Sequence, residues 1–155
     1  MRIYYIFFKL IINFATMLHL KKNEILSNKS VRATENRLSV LGAFLHYQKP
    51  INLKTIRDYV EGIDRVTLFR ILSLFESKKI IHKIVLENGL IYFAICNENC
   101  SSNSECAHTH VHFLCNVCED VSCLEVDAFP TVNHPGFSFS SLSINASGTC
   151  VNCSE

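Results

Sequence analysis

Two Cys-x-x-Cys pairs, Cys115/Cys118 and Cys150/Cys153, constrain this chain more than any other feature. Each such turn places two sulfurs close enough to share one tetrahedral ion, and two turns close a four-sulfur site with no open position. The 31 residues between the pairs exceed what a compact zinc ribbon needs, so the pairs must meet across a small domain. Cys115, Cys118, Cys150 and Cys153 are therefore expected to hold a structural zinc, which folds a region too small and polar to hold itself together. Disulfides or unrelated reduced thiols are the competing reading. All eight cysteines lie between Cys96 and Cys153, and the histidines beside them favour metal in a reducing compartment.

The first pair ends the run HTHVHFLCNVC at 108–118. In a strand, side chains two apart point the same way. His108, His110 and His112 would line one face, with Val111 and Phe113 on the other. Such a row suits a second, more exchangeable metal, with Cys96, Cys100 or Cys106 upstream and Cys123 downstream as further ligands. Thiolate with imidazole favours zinc over magnesium or calcium and leaves iron open. A solvated polar face is the plainer alternative. His82 and His46 read as surface or core-edge residues, and His19 and His134 carry no assignment.

Net charge is +1, but its distribution is uneven. Residues 17–83 carry thirteen Lys/Arg against six Asp/Glu, whereas 84–155 carry eight Asp/Glu and no Lys or Arg. A basic half facing a polyanion and an acidic half with another task would give this split. The first twenty residues are strongly apolar. Lys9 interrupts them, no small-residue cleavage site follows, and the run is short for a span. We expect translation to start at Met17, with 1–16 a non-native or disordered extension and no membrane association; a genuine N-terminal anchor is the alternative.

From Met17 the pattern turns amphipathic. Residues 17–30 read as a short helix. A second follows Thr34, a capping residue, with Leu38, Leu41 and Leu45 on one face, and Lys49-Pro50 ends it. Asn52 can cap a third helix with Leu53, Ile56 and Val60 on one face, stopped by Gly62. Asp64 can cap a fourth, in which Leu68, Ile71, Leu72 and Phe75 form a core stripe. IIHKIVL and LIYFAIC then read as strands around Glu87-Asn88-Gly89, a strong hairpin signal. Helices followed by a hairpin is the order of a winged helix-turn-helix. Polar NENCSSNSECA marks a boundary, giving domains 17–96 and 97–155. VDAF and FSFSSLSINA read as irregular β-structure.

On the exposed face of the fourth helix, Arg70 is the best candidate for a base-edge contact, since arginine can give guanine two hydrogen bonds. Thr67 and Phe69 could touch phosphate or a thymine methyl. Arg32, Arg37, Lys54, Arg57 and Arg65 would supply backbone contacts. A solvated charged helix face is the alternative.

Taken together, RATENR, DRVTLFRILSLFESKKIIHKI, HVHFLCNVC and the final GTCVNC resemble the ferric uptake regulator family, from about Lys21 to Cys153. The resemblance implies an α+β (α/β) fold with an N-terminal winged helix-turn-helix and a small C-terminal α/β zinc-containing dimerisation domain. It implies a cytoplasmic, metal-dependent repressor of metal homeostasis that is not an enzyme and binds a palindromic operator in double-stranded DNA as a homodimer. Structural zinc at the four cysteines is implied. So is a regulatory metal near the interdomain hinge at His110 and His112, to which the residue pattern adds His108 and Cys100 as further candidate ligands for an exchangeable zinc or iron. Phe69-Arg70 stands where relatives carry a tyrosine-arginine pair that contacts DNA, and Arg32 matches a basic residue reaching the minor groove. Three departures stand out. Gln48-Lys49-Pro50-Ile51-Asn52 lacks a histidine that relatives use as a regulatory ligand, so the cysteines near 96–106 become stronger candidates. Val111 replaces an acidic residue, which argues against a third metal site. The stretch 124–149 lacks the pattern of a long helix. Rival readings are a zinc-dependent hydrolase or deaminase and a secreted disulfide-rich protein. The deaminase pattern H-x-E with P-C-x-x-C is absent.

Overall fold

A computed structural model describes residues 17–96, 110–139 and 142–154. Expectations for 1–16, His108, Cys100 and Cys106 fall outside these residues.

Helix α1 occupies described residues 17–28. Its end is a left-handed turn: Ser30 has φ 54°, and the Val31 N–H returns to the Leu26 carbonyl at 2.8 Å. Leu26 and Val31 are both buried there. Helix α2 spans Glu35–Tyr47. Thr34 has the extended backbone of an N-cap, but its side chain makes no capping bond. The single Leu38–Leu41–Leu45 stripe is also too narrow a description. Val40, Leu41, Gly42, Ala43 and Phe44 are buried in succession, while Leu38 and Leu45 are only partly so. The reason is position: α2 lies centrally among the neighbouring helices and the hairpin, which cover more than one of its faces.

The next two helices start as their sequences require. In α3 (Leu53–Tyr59) the Asn52 side chain accepts from the Thr55 N–H at 2.9 Å. In α4 (Arg65–Ser77) Asp64 accepts from the Thr67 N–H at 3.0 Å. Leu68, Ile71, Leu72 and Phe75 of α4 face the core. Lys79, with φ 54°, closes α4 by letting the Ile80 N–H reach the Phe75 carbonyl at 2.8 Å.

Strand β1 (Ile51–Asn52), absent from the sequence-based reading, adds to an antiparallel hairpin of β2 (Ile81–Val85) and β3 (Ile91–Ile95), in the order β1-β3-β2. At the hairpin tip only Gly89 takes positive φ, 78°. The Gly89 N–H bonds the Leu86 carbonyl and the Leu86 N–H bonds the Leu90 carbonyl, so the loop is of the three-residue kind.

The second sheet has the order β5-β4-β6, from β4 (His110–Cys115), β5 (Val121–Glu125) and β6 (Ile144–Gly148). HVHFLC is a strand, as its alternation predicts, and β6 begins at the end of FSFSSLSINA and runs two residues beyond it. VDAF is not a strand. Among the described residues no helix connects β5 to β6, in keeping with the missing helical pattern over 124–149. The helical content of this half, among the described residues, is one short 3-10 turn, Val151–Cys153.

The hairpin is the middle layer of the molecule. Ile81 and Phe93 face the helices and join their core. On the opposite side of the same strands, His82, Ile84 and Leu86 alternate with them, and the register sets Ala94 beside His82 and Tyr92 beside Ile84. That second face packs against the β5-β4-β6 sheet through Val121 and Leu114.

Candidate functional site

The four-sulfur cluster follows from strand register. Strands β4 and β6 run parallel with Cys115 opposite Gly148, so the turn leaving β4 and the turn leaving β6 emerge side by side. Cys115 ends β4, Cys118 follows in its turn, Cys150 follows β6, and Cys153 closes the 3-10 turn. Their four sulfurs lie within 4.8 Å of one another. An ion with roughly 2.3 Å bonds to sulfur in a tetrahedron would set neighbouring sulfurs about 3.8 Å apart. The Cys118–Cys150 separation is 3.8 Å.

Backbone donors favour thiolate there. The N–H groups of Cys118, Cys150 and Val117 bring Cys115 down to about 6, with Cys150 N at 3.4 Å and Val117 N at 3.5 Å from its sulfur. Hydrogen bonding to Cys150 and burial push Cys153 up to about 12. Four thiolates this close repel one another, and a divalent cation removes the conflict. The donor set thus fits zinc in a closed, non-reactive site.

A second cluster sits on the seam between the hairpin and the second sheet. His82, His112 and Cys123 bring their ligand atoms within 4.8 Å of one another. Register explains two of them: His112 of β4 lies directly opposite Cys123 of β5. His82 arrives from β2 and stacks on His112, with ring centroids 5.6 Å apart. His82 and His112 are both buried. The two nitrogens of His82 face different sulfurs, Nδ1 toward Cys96 at 3.7 Å and Nε2 toward Cys123 at 3.9 Å. One nitrogen can bind an ion while the other keeps a hydrogen bond that fixes the ring. Cys123 as a residue is exposed, yet its sulfur is turned inward, and burial raises its pKa to about 11. Two imidazoles with one or two sulfurs fit zinc best and admit iron.

Of the sequence candidates, His112 and Cys123 are in this cluster, and Cys96 lies beside it. His110 is in β4, and its side chain is not among the described ones. His82, read from the sequence as a surface or core-edge residue, is the correction. Its spacing from Ile84 and Leu86 placed it on the strand face opposite Ile81, but nothing local said that a second sheet would cover that face. His46 is exposed and lies among Tyr47 and Tyr59, with ring centroids 5.0 and 5.3 Å away.

The basic face is formed by α4. Arg70 is exposed, and Phe69 is 41% exposed. The Arg65 guanidinium lies over the Phe69 ring, 5.5 Å from its centroid. Thr67 is tied to the cap: its hydroxyl and N–H both bond Asp64 and lower that carboxyl's pKa. Arg32 is exposed, and its carbonyl accepts from Arg37 Nη1 at 2.8 Å. Lys54 pairs with Asp58 at 2.7 Å, which leaves Arg57 the more available cation on α3.

Fold and sites together define the class: a winged helix with an exposed basic face on α4, packed on a small second sheet, with two clusters among the described residues whose side chains could hold a metal. No family model matches the chain. The ferric uptake regulation protein of Staphylococcus aureus is 25% identical over 138 residues, covering 85% of this chain and 95% of the relative. A zinc uptake regulator solved with zinc and DNA superposes with a TM-score of 0.61 at 22% identity, covering 89% of this chain and 93% of that one. The Vibrio cholerae ferric uptake regulator gives 0.57 at 20% identity, covering 83% and 98%. Over most of its length the chain is thus similar in sequence to a ferric uptake regulation protein and in fold to solved metal uptake regulators.

Proposed function

We propose that this chain is a metal-dependent transcriptional repressor that binds a palindromic operator as a homodimer. The observation that carries the reading is the seam: His82 belongs to the wing, His112 and Cys123 to the second sheet, and their ligand atoms share one small volume. An ion held there would fix the angle between the DNA-binding half and the rest of the molecule. In a dimer that angle sets the spacing of the two recognition helices, and only one spacing meets successive major grooves. The metal therefore shifts a population and performs no reaction.

In this reading 17–96 form the DNA-binding domain and 97–155 the metal-binding dimerisation domain. Cys115, Cys118, Cys150 and Cys153 hold structural zinc. His82, His112 and Cys123, with Cys96 beside them, hold the exchangeable zinc or iron, and His110, His108 and Cys100 complete the candidate set. Arg70, Phe69 and Arg65 face DNA, Arg32 reaches the minor groove, and Thr67 orders the start of the helix. The relatives' names support a regulator over an enzyme. Among the described residues, neither cluster of candidate metal ligands includes a carboxylate. No helix among the described residues is long and apolar enough to cross a membrane, and a cytoplasmic location suits the role.

The test pairs elemental analysis with DNA binding. Purified protein should keep one tightly held zinc per chain through mild chelation. Added zinc or iron should then raise operator affinity, which should fall steeply with salt as counterions are released. Equal affinity with and without the exchangeable ion would remove the switch.

A further inference from the structure

The seam has two ends, and the metal-ligand side chains occupy only one. At the other, Ile84, Leu86 and Ala94 of the hairpin form a buried cluster with Val121 of β5, and Tyr92 and Leu114 pack against its edge. Ile84 and Val121 are each 1% exposed. The alternation of the strands makes the two ends continuous: His82, Ile84 and Leu86 share one face of the hairpin, and the register pairs His112 with Cys123 and Leu114 with Val121 on the facing sheet. Polar contacts flank the apolar end. Asn145 Nδ2 donates to the Val85 carbonyl at 3.2 Å. Lys49 Nζ meets Asp120 Oδ1 at 2.6 Å. Asp120 in turn accepts from the Cys115 N–H through its own carbonyl at 3.0 Å, so this ion pair joins the turn after α2 to the four-sulfur turn. None of these contacts uses a side chain of the second metal cluster.

We propose that the apolar end is a clasp that holds the two halves together before the exchangeable ion arrives, and that its strength sets how much ion the switch needs. The proposal rests on the regulator reading given above. Metal affinity of a site assembled from two bodies is scaled by the fraction of molecules in which those bodies are already joined. A clasp of buried apolar side chains supplies that fraction at no cost in specificity, because it does not touch the ion. Weakening the clasp should raise the ion concentration required and leave behaviour at saturating ion unchanged. The Lys49–Asp120 pair is exposed, so its contribution is smaller and is screened by salt.

The test uses full-length protein with zinc retained in the four-cysteine cluster and the exchangeable ion removed. A donor–acceptor pair on non-cysteine labels at Lys78 and Val132 reads the distance between the halves, and a zinc titration of operator binding reads the switch. In the unsubstituted protein a sizeable joined fraction should exist before zinc is added. Val121→Ala should reduce that fraction and move the zinc midpoint up about tenfold, with unchanged operator affinity at saturating zinc. Lys49→Asp should move it about twofold to threefold in the same direction, and the exchange Lys49→Asp/Asp120→Lys should restore it. Should Val121→Ala lose the four-cysteine zinc, the Lys49 variants decide. An unsubstituted protein with no joined fraction before zinc, or variants whose distance distribution and midpoint match it, would overturn the clasp. If no form binds the operator, the regulator reading fails, while the distance measurement still confirms or overturns the clasp.

Discussion

The two metal-ligand clusters differ in how they are built. The four cysteines belong to one sheet, and each pair sits in a single tight turn. Parallel pairing of β4 with β6 is the one long-range event that unites them. The His82–His112–Cys123 cluster draws on β2, β4 and β5, which come from two sheets packed face to face. A cluster within one folded unit is closed and permanent. One shared between two units changes whenever they move. Sulfur alone makes up the first cluster, whereas the second adds imidazole at a seam, an arrangement suited to an ion that comes and goes.

The largest expected effect tests the first half of that contrast. Cys115→Ser or Cys150→Ser should abolish zinc retention and unfold the second sheet, losing its cooperative thermal transition, since structural zinc supplies folding energy that a small polar domain lacks. Elemental analysis with circular dichroism would check it, and a folded, zinc-free variant would break the comparison. Next, His82→Ala should weaken the exchangeable site about 10- to 100-fold, leave the four-cysteine zinc in place, and make operator binding insensitive to added metal. His46→Ala is the control and should change none of these. A titration showing equal metal affinity for His82→Ala and the parent would remove His82 from the seam site.

A smaller effect comes from proton release. The Cys123 thiol, with its pKa raised to about 11, is protonated near neutral pH when no metal is bound. Metal must displace that proton, so affinity at the seam should rise with pH, by about tenfold per pH unit for this one proton between pH 7 and 9. Cys123→Ser should flatten the slope by that amount. The four-cysteine cluster should retain zinc across the same range.

The smallest effects lie away from both clusters. Asn52→Ala removes the side chain that caps α3 and should cost about 1 kcal/mol of stability in denaturant unfolding, with metal content unchanged. The Asp64 cap is pH-dependent. Its carboxyl pKa is lowered by the Thr67 hydrogen bonds, so its contribution is present above the ordinary carboxylate range and is lost as pH falls through the depressed value. Thr67→Val would weaken that dependence.

Much of this was written locally. Caps at Asn52 and Asp64, the Leu68–Phe75 stripe, the hairpin around Gly89 and the paired Cys-x-x-Cys turns each depend on residues a few positions apart, where backbone geometry alone decides who meets whom. Position against neighbours was not written locally. The burial of α2 over Val40–Phe44 depends on how many elements surround it, and Thr34 sits at an N-cap without bonding. His82 is the sharpest case. By sequence it was one polar residue in a strand whose partners across the seam, His112 and Cys123, lie 30 and 41 residues further on.

By itself, the sequence determined the kind of chemistry present: sulfur in pairs, imidazole in alternation, and a basic helix ahead of an acidic half. Covalent spacing and the periods of helix and strand fix such things before any folding. Tertiary structure alone decided which candidate ligands stand together and that the hairpin packs side chains from both of its faces. Those outcomes depend on the packing of one sheet on another, and packing is a property of surfaces assembled from distant parts of the chain.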